Sequence, residues 1–235
     1  MRLDRFLIRR GTHPCREVAR ILADRRVAVD GAVETSGLRR IDRFSRIELD
    51  GETLQRHEAV YLMLHKPTGF LSATSDPQHP TVMTLIDHPL RDELHLAGRL
   101  DRATTGLLLL TNDGRWSKAV TEPVEEIPKV YRVMTREEIS PETATIFAAG
   151  IYFAYEDLTT RPASLEILGK REALLTIHEG RYHQVKRMFH AVGNQVVGLH
   201  RESIGPLALD GLAPGCFRPL SEAEVALFRR QGDVK

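Results

Sequence analysis

The sequence predicts an α+β protein with two parts, a small N-terminal domain and a larger domain whose mainly antiparallel, mixed β-sheet is flanked by helices. From Val60 onward, short apolar segments recur without regular helical crossovers between them, which is typical of antiparallel or mixed sheets. Before that point, two helical patterns precede a hairpin signal. We therefore place the domains at residues 1–56 and 61–235, with a polar linker at 57–60.

The elements of the small domain follow from its spacing of apolar residues. Helical spacing predicts helices over about 3–10 and 16–24. The dipeptide Asp30-Gly31, between two short apolar runs, predicts a tight hairpin turn. The alternating segment 47–49 predicts one more strand.

The larger domain is predicted from alternation, turn signals and caps. Strands are expected over 60–64, 106–111, 130–134, 164–168, 173–177 and 196–199, and helices over 116–121, 141–149 and 182–192. Ser221 and Glu224 form a capping-box pattern, which predicts a C-terminal helix.

Composition excludes several classes of protein. Hydrophobic residues make up 42% of the 235 residues and charged residues 28%, as in ordinary globular chains. No stretch approaches the roughly 18 apolar residues of a membrane span, and no secretory leader is expected. The two cysteines, Cys15 and Cys216, are isolated in sequence. They predict a reducing compartment, the cytoplasm, and we expect a monomer.

The net charge of +1 hides an asymmetry between the two domains. Residues 1–46 contain twelve arginines, no lysine and six acidic residues, a local charge of +6, whereas the rest of the chain carries −5. A basic segment on a mildly acidic body favours contact with a polyanion. From charge alone, a solvated arginine-rich helix surface explains the pattern equally well.

The most informative stretch is a polar loop that leads directly into the apolar run 106–111. It carries Arg99, Asp101 and Arg102, and side chains at the end of a strand are well placed to build a site. Taken alone, Asp101 is better explained as a residue that caps local amides in a turn. The loop lacks the Gly-Lys-Ser/Thr of a phosphate-binding loop.

Two further stretches carry groups that can do chemistry. On the helix predicted over 182–192, Lys186 lies on the flank of an apolar stripe and could reach inward, although a plain amphipathic helix fits the pattern too. Alternation places Tyr131 and Val130 on opposite faces of a strand, where an aromatic packing across the sheet is the simpler interpretation. The ten histidines show no metal-binding spacing, so no metal site is predicted.

Taken together and in this order, the stretches resemble the pseudouridine synthase family whose members act on ribosomal RNA. The matching motifs are Leu64-His-Lys-Pro-Thr-Gly (with His65 where the family usually has Asn), Gly98-Arg-Leu-Asp…Thr-Thr-Gly-Leu, Lys129-Val-Tyr, and Glu179-Gly-Arg-Tyr-His-Gln-Val-Lys-Arg-Met-Phe. Residues 2–50, with Arg2-Leu-Asp, Arg16 and Val27-Ala-Val-Asp-Gly, resemble the S4 RNA-binding module.

The resemblance implies an enzyme that converts a uridine of 16S ribosomal RNA to pseudouridine without a cofactor. It implies that Asp101 is the nucleophile, that Lys186 is its cationic partner and that Tyr131 stacks on the target uracil and assists removal of the C5 proton. Arg99 matches the family residue that fills the space left by the extruded base. Further phosphate contacts are expected from Lys66, Arg102, Arg181, His183 and Arg187.

In the S4-like module the candidate RNA-binding residues are all arginines. They are Arg2, Arg5, Arg16, Arg20, Arg25, Arg26, Arg39 and Arg40. Two alternatives stay open: a large-subunit (23S) enzyme of the same branch, and a non-catalytic RNA-binding or ribosome-assembly factor. Trp116-Ser117 and Tyr182-His183-Gln184 resemble the small-subunit enzymes more closely.

Overall fold

The computed structural model describes residues 1–10, 14–122 and 126–228, and the chain divides into two compact units, Met1–Ala59 and Val60–Lys235. In the part of the chain that is described, no helix combines the length and the apolar character needed to cross a bilayer. The polar residues that follow position 51 begin as a strand of the first unit, and residues 56–60 lie outside regular structure.

The N-terminal unit packs two helices against a four-stranded antiparallel sheet of order β2-β1-β3-β4. Its elements are α1 (Leu3–Arg9), α2 (Cys15–Ala23), β1 (Val27–Val29), β2 (Ala32–Val33), β3 (Ile47–Leu49) and β4 (Glu52–Gln55). Leu3, Ile21 and Ile47 are almost fully buried between the two layers. The predicted helices and the hairpin are confirmed. Asp30 and Gly31 both have positive φ, as a tight hairpin turn between right-twisted strands requires.

The second unit is built on one mixed sheet of order β11-β12-β8-β13-β7-β5-β15, with β14 on β13 and β6 on β7. Its strands are β5 (Tyr61–Lys66), β6 (His95–Ala97), β7 (Thr105–Thr111), β8 (Lys129–Thr135), β11 (Ser164–Gly169), β12 (Glu172–Ile177), β13 (Val196–Ile204), β14 (Leu207–Ala208) and β15 (Phe217–Pro219); β9 (Tyr152–Phe153) and β10 (Leu158–Thr159) form a separate hairpin. Among these pairings only β13 with β7 is parallel, which confirms the predicted mainly antiparallel, mixed sheet.

Among the described residues, four α-helices accompany this sheet. They are α3 (Gly114–Thr121), α4 (Glu142–Ala149), α5 (Gln184–Ala191) and α6 (Glu222–Ala226), with 3-10 turns at Val82–Leu85 and Arg91–Glu93. The predicted capping box at Ser221 and Glu224 is present.

Strand β7 is buried on both sides, and its leucines alternate between two cores. Leu107 and Leu109 pack with Trp116 of α3, whereas Leu108 and Leu110 pack with the Val82 turn on the opposite face. Each leucine buried in this way contributes roughly 1.5–3 kcal/mol to folding. The loop that precedes β7 is therefore attached to a rigid strand.

A glycine lets β7 and β13 approach at their parallel junction. Gly106 lies opposite Arg201 with φ +113°, and a Cβ atom there would lie 2.3 Å from the Arg201 carbonyl oxygen. Any side chain at position 106 would separate the strands. The contact brings the loop before β7 next to β13 and, through it, to β8.

Candidate active site

The loop before β7 is held by hydrogen bonds to its main chain. Lys66 Nζ donates to the carbonyl oxygens of Thr104 at 2.8 Å, Arg102 at 3.2 Å and Pro67 at 3.1 Å. Ser72 Oγ donates to the Leu100 carbonyl at 2.7 Å and accepts from the Leu100 amide at 3.1 Å. These contacts fix the main chain on both sides of position 101.

Lys66, which was predicted to meet RNA phosphates, is bonded within the chain. The side chain is 0% exposed, and all three hydrogen bonds of its ammonium group go to carbonyl oxygens of the chain itself. Burial lowers the pKa of Lys66 to about 8, an effect that the negative charge of Asp101 partly opposes. Lys66 is a structural residue of the loop.

Each oxygen of the Asp101 carboxylate has a nitrogen close to it. Lys186 Nζ of α5 lies 2.6 Å from Oδ2, and His183 Nε2 lies 3.2 Å from Oδ1. The Asp101 side chain is 26% exposed, so it is largely shielded but still open to a ligand. The pairing of Asp101 with Lys186 is present as predicted, whereas His183, predicted to contact phosphate, points at this carboxylate instead.

The turn before α5 places His183 and Lys186. His183 has a left-handed backbone with φ 50°, directly before the first residue of the helix. The buried Glu179 carboxylate fixes the turn, because it accepts from Gln184 Nε2 at 2.9 Å and from Arg181 Nε at 3.0 Å. The exposed ring of Tyr182 stacks on His183, with centroids 3.9 Å apart.

A cleft of about 550 Å³ unites the three predicted catalytic residues. Asp101, Tyr131 and Lys186 all line it. Tyr131 is 8% exposed, and its hydroxyl oxygen accepts a hydrogen bond from Arg201 Nη1 at 3.3 Å. The cleft therefore combines a charged carboxylate, its cation and an aromatic ring, which suits a planar ligand that reacts at an electrophilic carbon.

The predicted arginines of this unit divide into two groups. Arg99, Arg102 and Arg181 are exposed and line the cleft; Arg102 also donates to the Gly69 carbonyl at 3.1 Å. Arg187 makes a bidentate pair with Glu156, and its guanidinium lies 3.7 Å from the ring centroid of Phe153. Arg181 and Arg187 both have an intramolecular carboxylate partner, and Arg187 is the less exposed of the two, so it is the less free to bind phosphate.

Two cationic residues of the cleft were not predicted. Arg201 is 4% exposed, and its Nε donates to the Leu107 carbonyl at 2.7 Å. Lys129 is 8% exposed, and its pKa is lowered to about 8, mainly by burial and also by the nearby charge of Arg201. Lys129 could have been found from the sequence, because it lies two residues before Tyr131 and so on the same strand face. Arg201 offered no comparable signal.

In the N-terminal unit, seven of the eight predicted arginines are exposed, and Arg39 is half-buried. Four have carboxylate neighbours: Arg2 with Asp4, Arg20 with Asp24, Arg26 with Asp50, and Arg39 with Asp30 and Glu34. Arg16, Arg25 and Arg40 have none among the described residues, and Arg5 forms no side-chain ion pair there although its charge acts on Asp4. These charges are available to a ligand.

The described residues contain no group of three or more His, Cys, Asp or Glu side chains arranged to hold a metal ion.

Comparison with known proteins shows the family. Residues 60–191 match the family of RNA pseudouridylate synthases. Similar proteins include ribosomal small subunit pseudouridine synthase A of Pseudomonas aeruginosa, 51% identical over 96% of this chain and 99% of that protein, and its namesake from Escherichia coli K12, 45% identical over 96% and 99%. A crystal structure of a pseudouridylate synthase aligns with a TM-score of 0.70 at 39% identity, covering 96% of this chain and 98% of the other. The chain belongs to the RNA pseudouridylate synthase family.

Proposed function

We propose that this protein converts a uridine of 16S ribosomal RNA to pseudouridine, with Asp101 as the nucleophile. The observation that carries the proposal is the Asp101 carboxylate, flanked by Lys186 and His183 inside a cleft that Tyr131 also lines. Relatives at 45–51% identity over 96% of the chain bear the name of the small-subunit enzyme, and this supports the choice of 16S RNA.

The reaction is an isomerisation. The bond between N1 and C1′ breaks, the uracil rotates, C5 joins C1′, the proton on C5 is lost and N1 gains one. No oxidation or reduction occurs, so the chemistry requires a nucleophile, a place for the ring and a route for the proton. A carboxylate suits such a step because it can form and release a covalent intermediate.

Lys186 keeps the nucleophile charged. Moving a carboxylate out of water disfavours its ionised form, and a cation at hydrogen-bond distance favours it. The 2.6 Å contact between Lys186 Nζ and Asp101 Oδ2 supplies this cation, and His183 Nε2 lies 3.2 Å from the other oxygen. Lysine provides a point charge instead of a planar fork, so the carboxylate keeps some freedom to approach its target.

The remaining cleft residues are proposed to receive an extruded base. A base that reacts must first leave its stack, and Tyr131 offers an aromatic face for it. Arg99 is proposed to fill the space that the base leaves in the RNA. Arg102 and Arg181, exposed at the same cleft, are proposed to contact neighbouring phosphates, and Arg187 is a weaker candidate because it is paired with Glu156.

The N-terminal unit is proposed to be an S4-like RNA-binding domain. Its exposed arginines support this, in particular Arg5, Arg16, Arg25 and Arg40, which form no side-chain ion pair among the described residues. Each phosphate that an arginine neutralises releases counterions, so affinity should fall steeply with salt. We further propose that the protein acts as a monomer in the cytoplasm, where its two exposed free cysteines would stay reduced.

The test compares RNA substrates. Wild-type protein is incubated with 16S and with 23S ribosomal RNA labelled with [5-³H]uridine, because loss of the C5 proton releases tritium. We expect release of one tritium per molecule of 16S RNA and no release from 23S RNA. Release from 23S RNA alone would show a large-subunit enzyme, and tight binding to either RNA without release would show a non-catalytic RNA-binding factor.

A further inference from the structure

Three polar side chains face the cleft from two neighbouring strands. Lys129 and Tyr131 lie two residues apart on β8, so their side chains leave the same face of the sheet. Arg201 of β13 is in register with Tyr131, and Ile204 of the same strand is in register with Lys129. Lys129, Tyr131 and Arg201 all line the cleft that holds Asp101.

Lys129 and Arg201 are cations that the described chain does not neutralise. Arg201 donates to the Leu107 carbonyl and to the Tyr131 hydroxyl oxygen, both uncharged groups, and its Nη2 is buried without any partner. Lys129, 8% exposed, has no hydrogen bond or ion pair among the described residues. The other two lysines near the site differ, since Lys66 donates to three carbonyls and Lys186 is paired with Asp101.

Burying a cation without a partner is costly, so an unmatched pair at a cleft indicates that a ligand supplies the missing negative charge. The cleft that would receive the target nucleotide is the one that these two residues line. The negative charge must therefore come from the reacting nucleotide.

We propose that Lys129, assisted by Arg201, binds an oxygen of the target uracil ring and stabilises the negative charge that the ring gains when its glycosidic bond breaks. This inference rests on the proposed function and adds a catalytic residue to it. Lys129 touches the ring oxygen, whereas Arg201 is a positioning residue that orients Tyr131 and adds positive potential.

The step is balanced in electrons and protons. When N1–C1′ breaks, its electron pair goes to the uracil, and the charge spreads over N1, O2 and O4. A fixed ammonium group beside one of these oxygens stabilises this state more than the neutral starting ring, which is the condition for a rate increase. Asp101 bonds C1′ while the uracil rotates; C5 then uses a ring pair to bond C1′, and the carboxylate leaves with the electron pair of its own bond. The C5 proton leaves, N1 gains a proton, and the oxygen returns to an ordinary carbonyl.

The protonation state of Lys129 agrees with this role. Its pKa of about 8 leaves the amine charged at pH 7 and neutral well above pH 8. The other charged or titratable groups that line the same cleft are Arg99, Asp101, Arg102, Tyr131, Glu179, Arg181, Tyr182, His183, Lys186 and Arg201. A substrate that develops negative charge would favour the protonated amine further.

The experiment measures single-turnover rates of tritium release on [5-³H]uridine-labelled RNA for Lys129→Met and Lys129→Arg. We expect Lys129→Met to be slower than wild type by more than tenfold at pH 7 while its RNA affinity stays within about twofold. Lys129→Arg, which keeps the charge, should recover most of the rate. Lys170→Met, at an exposed lysine paired with Glu138, is the matched control and should behave as wild type.

A pH profile separates catalysis from a structural role. The wild-type rate should fall above about pH 8, and the Lys129→Arg rate should not fall there, because a guanidinium stays charged. If the rates of the wild type and of Lys129→Arg fall equally above about pH 8, another group, such as Lys66, causes the fall and the inference is overturned. Wild-type turnover in Lys129→Met would overturn it as well, whereas a wild-type protein that releases no tritium would refute the proposed function itself.

Discussion

The cleft around Asp101 and the exposed arginines of the N-terminal unit use positive charge in different ways. Around Asp101, the cations Lys129, Lys186 and Arg201 are buried or half-buried, and Lys186 has one defined partner, Asp101. Lys66, buried under the neighbouring loop, donates to three carbonyls. In the N-terminal unit the cations are mostly exposed, and those with carboxylate neighbours pair at the surface, as Arg20 and Asp24 do at 3.5 Å.

This difference indicates how turnover and RNA binding should respond when a charge is removed from each region. A charge shielded from water interacts strongly with its neighbour, and its loss cannot be compensated by solvent. An exposed charge contributes little alone, is screened by salt and gains importance only as one of several. The cleft should therefore be sensitive to single substitutions, and the exposed arginines of the N-terminal unit should respond to the number of charges removed.

Among the substitutions that test this comparison, Lys186→Met is expected to lower turnover the most. The substitution removes the cation from Asp101 and leaves a carboxylate with only His183 beside it. Turnover in the tritium assay should fall by more than about tenfold, equivalent to about 1.4 kcal/mol. Lys170→Met serves as the control, and unchanged turnover would mean that another residue, first Arg99 or Arg181, supplies the cation.

Lys66→Met should affect stability as well as turnover. The substitution leaves three carbonyl oxygens without their donor, which costs roughly 1–3 kcal/mol of unfolding free energy. The cost should also grow with pH. The pKa of Lys66 is lowered from 10.5 to about 8 in the folded protein. Between pH 8 and pH 10.5 the unfolded chain therefore binds more protons than the folded one. The unfolding free energy of the wild type rises with pH in this range, whereas that of the variant has no such contribution. Denaturant titrations at pH 7 and pH 10 measure this difference, and an equal cost at both would contradict the assignment.

The smallest effect is expected for Arg16→Gln combined with Arg20→Gln on one face of α2. If both arginines contact phosphates of single-stranded RNA, the slope of log affinity against log salt should become shallower by roughly 1.4, and turnover at saturating RNA should not change. Arg46→Gln, at an exposed arginine paired with Glu48, is the control. A salt slope equal to that of the wild type would remove α2 from the RNA-binding surface.

Much of the fold was predictable because local signals were strong and consistent. The alternating segments became strands within one or two residues of their predicted bounds, apart from β13, which extends to Ile204, and the capping box at Ser221 formed as expected. The structure brings residues 101, 131 and 186 to one cleft, as predicted, although only the order of the motifs and the family resemblance connected them. The local sequence pattern around each residue did not by itself assign a role to it.

The remaining site residues depend on tertiary structure that sequence patterns do not contain. Lys66 ends a strand next to a turn, a position that is usually exposed, and only the fold of the 98–104 loop over it buries the amine. Arg201 is 70 positions from Tyr131, and the two meet because of the register between β8 and β13, which the sequence does not specify. His183 points at Asp101 because of a left-handed backbone at the start of α5.

The central claim is that the Asp101 carboxylate is the reacting group. Asp101→Asn preserves the shape of the side chain and removes its charge, so the most direct measurement is the single-turnover rate of tritium release by this variant on RNA that it binds with wild-type affinity. We predict no detectable release with RNA affinity unchanged. Release at the wild-type rate would show that position 101 is a structural turn residue and that the nucleophile lies elsewhere.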